Sequence, residues 1–426
     1  MQHHGCQSPT VLLELLDALR SARSPHALLS CSFRHVSTVE AIHGPTQAER
    51  LIAAGQARLR AACTAEASII RLHNAELVVV VPGTRSSDEL LELGERCTSQ
   101  CRALEQGPGS IPLLLSVTIG AALADFSSDQ SSRDLLDRAV LARLEAEQQP
   151  GSHLVLAPPR IQQLAAAQYQ LESDLHLALE RSELTAVLQP IVDLVSEAVI
   201  GFECLARWPR ATGELAPPAS FMASAKASGI TAEIDLQVLQ LALDTAPQLA
   251  AAAGAEHPLI LSANLSGQLL DNPRRVLELL ELIRSHPLPT TVQLQLELLE
   301  ESFRNTPYEL DALLEWLTEQ NVLIAIDDFG TGYSSLSRLH DLNINTIKID
   351  RSFVQRLNAP RKPSNHLLQT LVAIGQDLQI KLTAEGVETD EQRRWLMSRG
   401  VSHGQGFLFS EPLSLAGAID YLWRLS

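Results

Sequence analysis

Lysine is nearly missing from this 426-residue chain: only Lys226, Lys348, Lys362 and Lys381 occur, and lysine plus arginine total 33 against 50 acids. The net charge of −17 argues against non-specific binding of nucleic acid or an anionic membrane, since both need a basic face. An anionic substrate must therefore be met locally, most simply through metal ions. Cysteine is scarce as well: Cys6, Cys31, Cys63, Cys97, Cys101 and Cys204 do not make a disulfide framework in a chain of this length. Cys97 and Cys101 stand one helical turn apart, but without partners at ligand spacing two ordinary helix thiols outweigh a metal pair. Long apolar runs are lacking too, since none approaches the ~18 residues of a membrane span. The start, Met1 to Gly5, has neither the basic nor the apolar segment of a signal peptide. A cytoplasmic, reducing location is the expectation.

What is present is apolar surface. A hydrophobic fraction of 45% is enough for two cores, and the length calls for two domains. In the first half, Val11–Arg20 and Ala48–Ala62 have helical periodicity. Ser68–Leu72 and Leu77–Val81 flank a hairpin tip at His73-Asn74. Ser87–Glu105 then reads as a helix, Leu113–Leu123 as a strand and Ser132–Gln149 as a helix closed by Pro150-Gly151. This order suggests an α+β or α/β sheet domain over residues 1–158. Ile161–Arg181 reads as a helix that suits a rigid connector, placed at 159–183.

The texture changes after Gln189. Eight strands are expected, at Val187–Val192, Val199–Ala206, Leu259–Asn264, Val292–Glu297, Val322–Asp327, Thr346–Ile349, Lys381–Glu385 and Gly404–Leu408. Helices alternate with them at Ile234–Leu249, Arg274–Ser285, Tyr308–Glu319 and Leu367–Asp377. Eight such units over 184–426 predict a TIM-like (β/α)8 barrel, whose chemistry gathers at the C-terminal strand ends. Glu203, Asn264, Glu297, Asp327, Lys348, Glu385 and Gln405 fall there, within a residue. So many carboxylates at one mouth would repel one another unless cations were present. Oxygen ligands without His or Cys point to Mg²⁺ or Mn²⁺, and the pair Asp327-Asp328 could bridge two ions about 4 Å apart. Lys348, on an apolar strand, could hold a metal-bound hydroxide or a phosphate oxygen, or form a structural ion pair with Asp350 or Asp327.

These segments resemble a known motif series. Gln189-Pro190-Ile191-Val192-Asp193, Glu203-Cys204-Leu205-Ala206-Arg207-Trp208, Asn264-Leu265-Ser266, Glu297-Leu298-Leu299-Glu300, Asp327 to Leu336, Lys348-Ile349-Asp350, Ala384-Glu385-Gly386-Val387-Glu388 and Gln405-Gly406-Phe407 are similar, in order, to the motifs of EAL-domain cyclic-di-GMP phosphodiesterases. The resemblance covers about Leu184 to Ser426. It implies metal ligation by Glu203, Asn264, Glu297 and Asp327, with Asp328 and Glu385 serving a second ion. Arg207 would grip phosphate, Gln189 would contact guanine, and Gln405 would be a further site glutamine. Lys348 would orient the nucleophilic water with Asp350 close by, and Glu300 would steady the loop Asp328–Leu336. The reaction implied is hydrolysis of cyclic di-GMP to linear pGpG by a homodimer, with a catalytically silent receptor or protein-interaction scaffold as the alternative. Cys204 stands where the family usually has Ala, and Leu299 where it has Thr; neither substitution removes a ligand.

The first half resembles a degenerate GGDEF cyclase domain at Arg71 to Leu77 and Ser116 to Gly120. His73 and Asn74 replace the hairpin glycines and Ala75 the metal aspartate, so no cyclase activity is expected. A structural or regulatory task is left for it.

Overall fold

The computed structural model describes residues 9–73, 75–126, 130–149, 151, 153–158, 160–210, 212–254, 258–303, 308–330, 343–358 and 364–425. Asn74 and the loop residues 331–336 lie outside this set. Two compact units divide between Tyr169 and Gln170.

The first unit is a five-stranded sheet with helices on both faces. Its strands are β1 (His26–Phe33), β2 (Ser68–His73), β3 (Glu76–Pro82), β6 (Val117–Leu123) and β7 (Leu154–Leu156), in the order β2-β3-β1-β6-β7. A separate ribbon pairs β4 (Ala103–Gln106) with β5 (Pro112–Leu115). One face packs on α2 (Val36–His43), α3 (Pro45–Ala62) and α4 (Ser87–Cys101), and the other on α1 (Pro9–Ser21) and α5 (Ser132–Gln148). Local chemistry sets the helix starts. Ser86 accepts from Glu89 N to begin α4, and Ser131 with Asp134 forms a capping box for α5.

Three features depart from the sequence expectations. The central strand β1 was not anticipated: it is covered on both faces, so it shows no alternation, and its Ser30, Cys31 and Ser32 interrupt the apolar run. The helix expected to run from Ser87 to Glu105 ends at Cys101, because Ala103–Gln106 pairs with Pro112–Leu115. The single strand expected over Leu113–Leu123 is two, broken at Ser116, one joining β4 and the other β1. In both cases strand pairing overrides local propensity.

The second unit is a TIM-like barrel. Its strands are β8 (Thr185–Asp193), β9 (Val199–Pro209), β11 (Leu259–Leu265), β12 (Val292–Leu299), β13 (Leu323–Phe329), β14 (Thr346–Ile349), β15 (Lys381–Ala384) and β16 (His403–Gly404), closed by pairing of β8 with both β9 and β16. The two-residue strand β10 (Leu215–Ala216) extends β9 outside the ring. From β9 to β16 the ladders are parallel, whereas β8 runs antiparallel to both neighbours. The reversal follows from the short 194–198 connection, which can join only an antiparallel pair. The strand expected at Gly404–Leu408 stops at Gly404. Gly406 adopts φ 157°, and a Cβ there would lie 2.2 Å from the Val387 oxygen. The helix Ile161–Glu180 (α6) contributes Ile161 to the first unit's core and Leu175, Ala178 and Leu179 to the second's.

Candidate functional site

The barrel's strands and the residues just past their ends deliver charged and polar side chains to a common mouth. At its centre is Lys348, 1% exposed. Its Nζ lies 2.5 Å from Glu297 Oε2, 2.6 Å from Glu385 Oε1, 3.2 Å from Glu203 Oε2 and 3.4 Å from Asp327 Oδ1. Asn264 Nδ2 donates to Glu203 Oε1 at 2.9 Å, and Gln405 Nε2 donates to Glu203 Oε2 at 2.8 Å and to Gln189 Oε1 at 3.0 Å. Residues separated by as many as 216 positions thus meet in one hydrogen-bonded network.

Two adjacent acids on one strand would ordinarily face opposite ways. A bulge changes that at Asp327-Asp328: from Ile326 to Phe329 strand β13 advances three residues while β14 advances two, from Ile347 to Ile349. Asp328 takes φ 53°, and its backbone N–H donates to Asp327 Oδ1 at 3.0 Å. A carboxylate oxygen from each of Asp327, Asp328 and Glu385 consequently falls within 4.8 Å of the others. Glu300 accepts from Gly330 N at 2.8 Å, pinning the chain just beyond the bulge.

The electrostatics follow from crowding four acids around one cation. Burial, then the charge of Glu203, pushes the Glu297 carboxyl up; burial with the nearby Asp327 and Glu203 pushes Glu385 up to about 8. Burial and the charges of Asp327 and Asp350 raise Asp328 to about 6. Glu203 is held below its usual range although buried, because Lys348, Gln405 and Asn264 all favour its ionised form. Lys348 itself is also buried, yet its four acidic neighbours hold its pKa far up. Such a set fits hard divalent cations: the donors are oxygens, and the acids outnumber the one internal cation.

Above the acids opens a cavity of about 550 Å³ whose lining includes Gln189, Arg207, Asp350, Gln405 and Phe407. Arg207 bonds its own strand through Nη1 to Ala206 O at 2.7 Å. Asp350 caps a short helix by accepting from Ser352 N at 3.1 Å, and the ion partners of Lys348 are the four acids above. Gln405 Oε1 is buried without a partner among the described residues.

A second polar layer, not anticipated from the sequence, lies beneath the first. Ser262 donates to Glu297 Oε1, Gln295 Nε2 donates to Ser262 Oγ at 3.1 Å, and Thr346 Oγ1 donates to Gln295 Oε1 at 3.0 Å. The available signal was period two: Ser262, Gln295 and Thr346 each precede a mouth residue by two positions. Asp235, 6% exposed on the helix Thr231–Ala253, accepts from Ser266 N at 2.7 Å and so anchors the turn after Asn264. In the sequence it stands between Ile234 and Leu236, two positions after Glu233, and nothing in that pattern marks it as buried.

The comparisons with known proteins bear on this arrangement. The EAL domain model matches residues 172–412, more than half of the chain. The chain belongs to the EAL-domain family. Ahead of this EAL domain, the model described as diguanylate cyclase, GGDEF domain, matches residues 10–153. An uncharacterized Mycobacterium bovis protein is 30% identical over 412 residues, 96% of this chain and 65% of its own length. The cyclic di-GMP phosphodiesterase NbdA of Pseudomonas aeruginosa is 32% identical over 315 residues, 73% of this chain and 39% of its own. Among solved structures, the PaMucR phosphodiesterase in complex with c-di-GMP aligns with a TM-score of 0.53 and 34% identity, covering 57% of this chain and 98% of that one. The chain spans about two thirds or less of the length of these curated relatives.

Cys204, the departure from the family signature beside Glu203, is 1% exposed and donates weakly to Val238 O at 3.8 Å, within the core packed on the helix Thr231–Ala253. Its sulfur takes no part in the mouth. Cys204→Ala is expected to leave kcat and KM within about threefold of the parent and to cost stability of about 1 kcal/mol. Steady-state kinetics with a denaturant titration checks both.

Proposed function

We propose that this chain hydrolyses cyclic di-GMP to linear pGpG at the barrel mouth, with two divalent cations. The carrying observation is the ring of Glu203, Glu297, Asp327 and Glu385 around Lys348 beneath an open cavity. In this reading Glu203, Asn264, Glu297 and Asp327 hold one cation, and Asp328 and Glu385 serve the other. Bound there, Mg²⁺ or Mn²⁺ would lower the pKa of a water and neutralise charge developing on the phosphate. Lys348 orients that water, with Glu385 beside it and Asp350 at the rim. Arg207 grips a phosphate oxygen. Gln189 and the unpartnered Oε1 of Gln405 meet the guanine edge, and Glu300 steadies the segment after Asp328. The water oxygen bonds one phosphorus as that phosphorus's bond to a ribose oxygen breaks, a proton passes from the water to the departing ribose oxygen, and the ring opens.

The first unit supplies structure or regulation in this reading, not cyclase chemistry. Glu76, at the hairpin, is engaged by Arg143, whose Nη2 lies 3.1 Å from it. The same guanidinium reaches Glu147 at 2.6 Å and Ser30 Oγ at 3.2 Å, so the one acid left at the hairpin already has a cationic partner. Residues 1–158 and 184–426 would act through the 159–183 helix, in a homodimer formed by the EAL domain.

Incubating the purified chain with cyclic di-GMP and Mn²⁺ should give pGpG by chromatography, and chelation should abolish the product until Mn²⁺ or Mg²⁺ is returned. Tight binding without product would identify a silent receptor. Neither binding nor product would identify a scaffold.

A further inference from the structure

We propose that Cys63 and Cys97 form a dithiol–disulfide pair that a peroxide oxidises within the folded first unit. Four cysteines share that unit's core, but their sulfurs are differently engaged. Cys31 donates to Leu29 O at 3.9 Å and Cys101 to Gly55 O at 3.8 Å. The sulfurs of Cys63 and Cys97 face each other at 3.9 Å. Closing to the ~2.05 Å of a disulfide needs the two sulfurs to approach by about 2 Å.

The fold gives the two thiols unequal access. Cys63 is the residue at which α3 ends and is partly exposed, whereas Cys97 lies on the buried face of α4 and is fully covered. The Cys97 hydrogen bond, with Arg60 and Arg96 nearby, draws the Cys63 thiol below its ordinary range, while the same contact and burial push Cys97 up. Cys63 is therefore the attacking thiolate and Cys97 the resolving thiol. The Cys63 sulfur attacks one peroxide oxygen; the O–O bond breaks, hydroxide leaves, and Cys63 becomes a sulfenic acid. The Cys97 sulfur then attacks the Cys63 sulfur; the S–S bond forms as the S–O bond breaks, and the departing hydroxide takes the Cys97 proton to leave as water. Two thiols lose two electrons, the peroxide gains them, and a dithiol reductant reverses the change.

The test uses the full chain, reduced, desalted and treated with hydrogen peroxide in native buffer, followed by alkylation, proteolysis and mass spectrometry. A peptide joining Cys63 to Cys97 is expected, with the count of six free thiols falling to four and dithiothreitol restoring it. In Cys97→Ser, Cys63 should be captured by dimedone as the sulfenic acid. In Cys63→Ser, Cys97 should stay unmodified. Cys31→Ser and Cys101→Ser should keep the cross-link. Recovery of Cys63 from the parent chain as a sulfinic acid, as an unreacted thiol, or joined to another cysteine would overturn the proposal, and this readout depends on no variant folding.

Discussion

Glu203→Ala is expected to lower cyclic di-GMP turnover by at least ~100-fold, beyond the 10–100-fold typical of losing a group that only supports a metal ligand. The carboxylate is the best-held acid in the mouth: Asn264, Gln405 and Lys348 all bond it, and it is 5% exposed. In the proposed reading alanine removes one metal ligand, and it strands three donors at once. Because β9 is clamped by β8 and β11 along its length, the loss should be local. The variant's circular dichroism should match the parent while its Mn²⁺ affinity, read by calorimetry, falls with kcat. A rate within a few-fold of the parent would refute Glu203 as a ligand.

Lys348→Met should act on both stability and rate. In chelated, metal-free protein the ammonium is the cation that four acids share, and removing one partner of a buried ion cluster costs about 3–5 kcal/mol. The rate should fall by about 10²–10⁴, the range for a group that positions or exchanges a proton at the reacting water. The pH dependence has a definite sign. Glu385 is raised from 4.5 to about 8 on folding, so its contribution is fully present below pH 4.5 and is lost as pH rises through 8. Without Lys348 the folded-state value climbs further, so the metal-free variant goes on losing stability above pH 8, where the parent's loss levels off. Added Mn²⁺ should raise its Tm by more than it raises the parent's. Equal metal-induced shifts, or an unchanged slope with pH, would show that Lys348 does not neutralise the ring.

Much of the barrel was legible because its strands are short apolar runs that end in one conspicuous polar group. Glu297 after Leu294–Leu296 and Lys348 within Ile347–Ile349 announce both a strand and a direction. The reversed direction of β8 was not, since pairing sense depends on the connection and not on the run itself. Strand β1 was hidden for the opposite reason: a strand covered on both faces has no alternation to read, and serines can sit in it once hydrogen-bonded, as Ser30 is by Arg143. At the mouth, side-chain types were informative and backbone was not. The sequence showed Asp327 beside Asp328, but only the register with β14 explains how both contribute oxygens to one cluster. Ser262, Gln295 and Thr346 went unread because uncharged polar residues in a strand look like ordinary variation until their partners are seen.

The ammonium of Lys348 has one more implication. Small zinc modules unravel when their metal is stripped, because nothing else offsets the ligands' mutual repulsion. This barrel carries a covalently tethered cation among its acids, so in the proposed reading its folding would not be tied to metal supply. Inorganic ions would then be exchangeable visitors, and loading an adjustable quantity in a molecule already assembled.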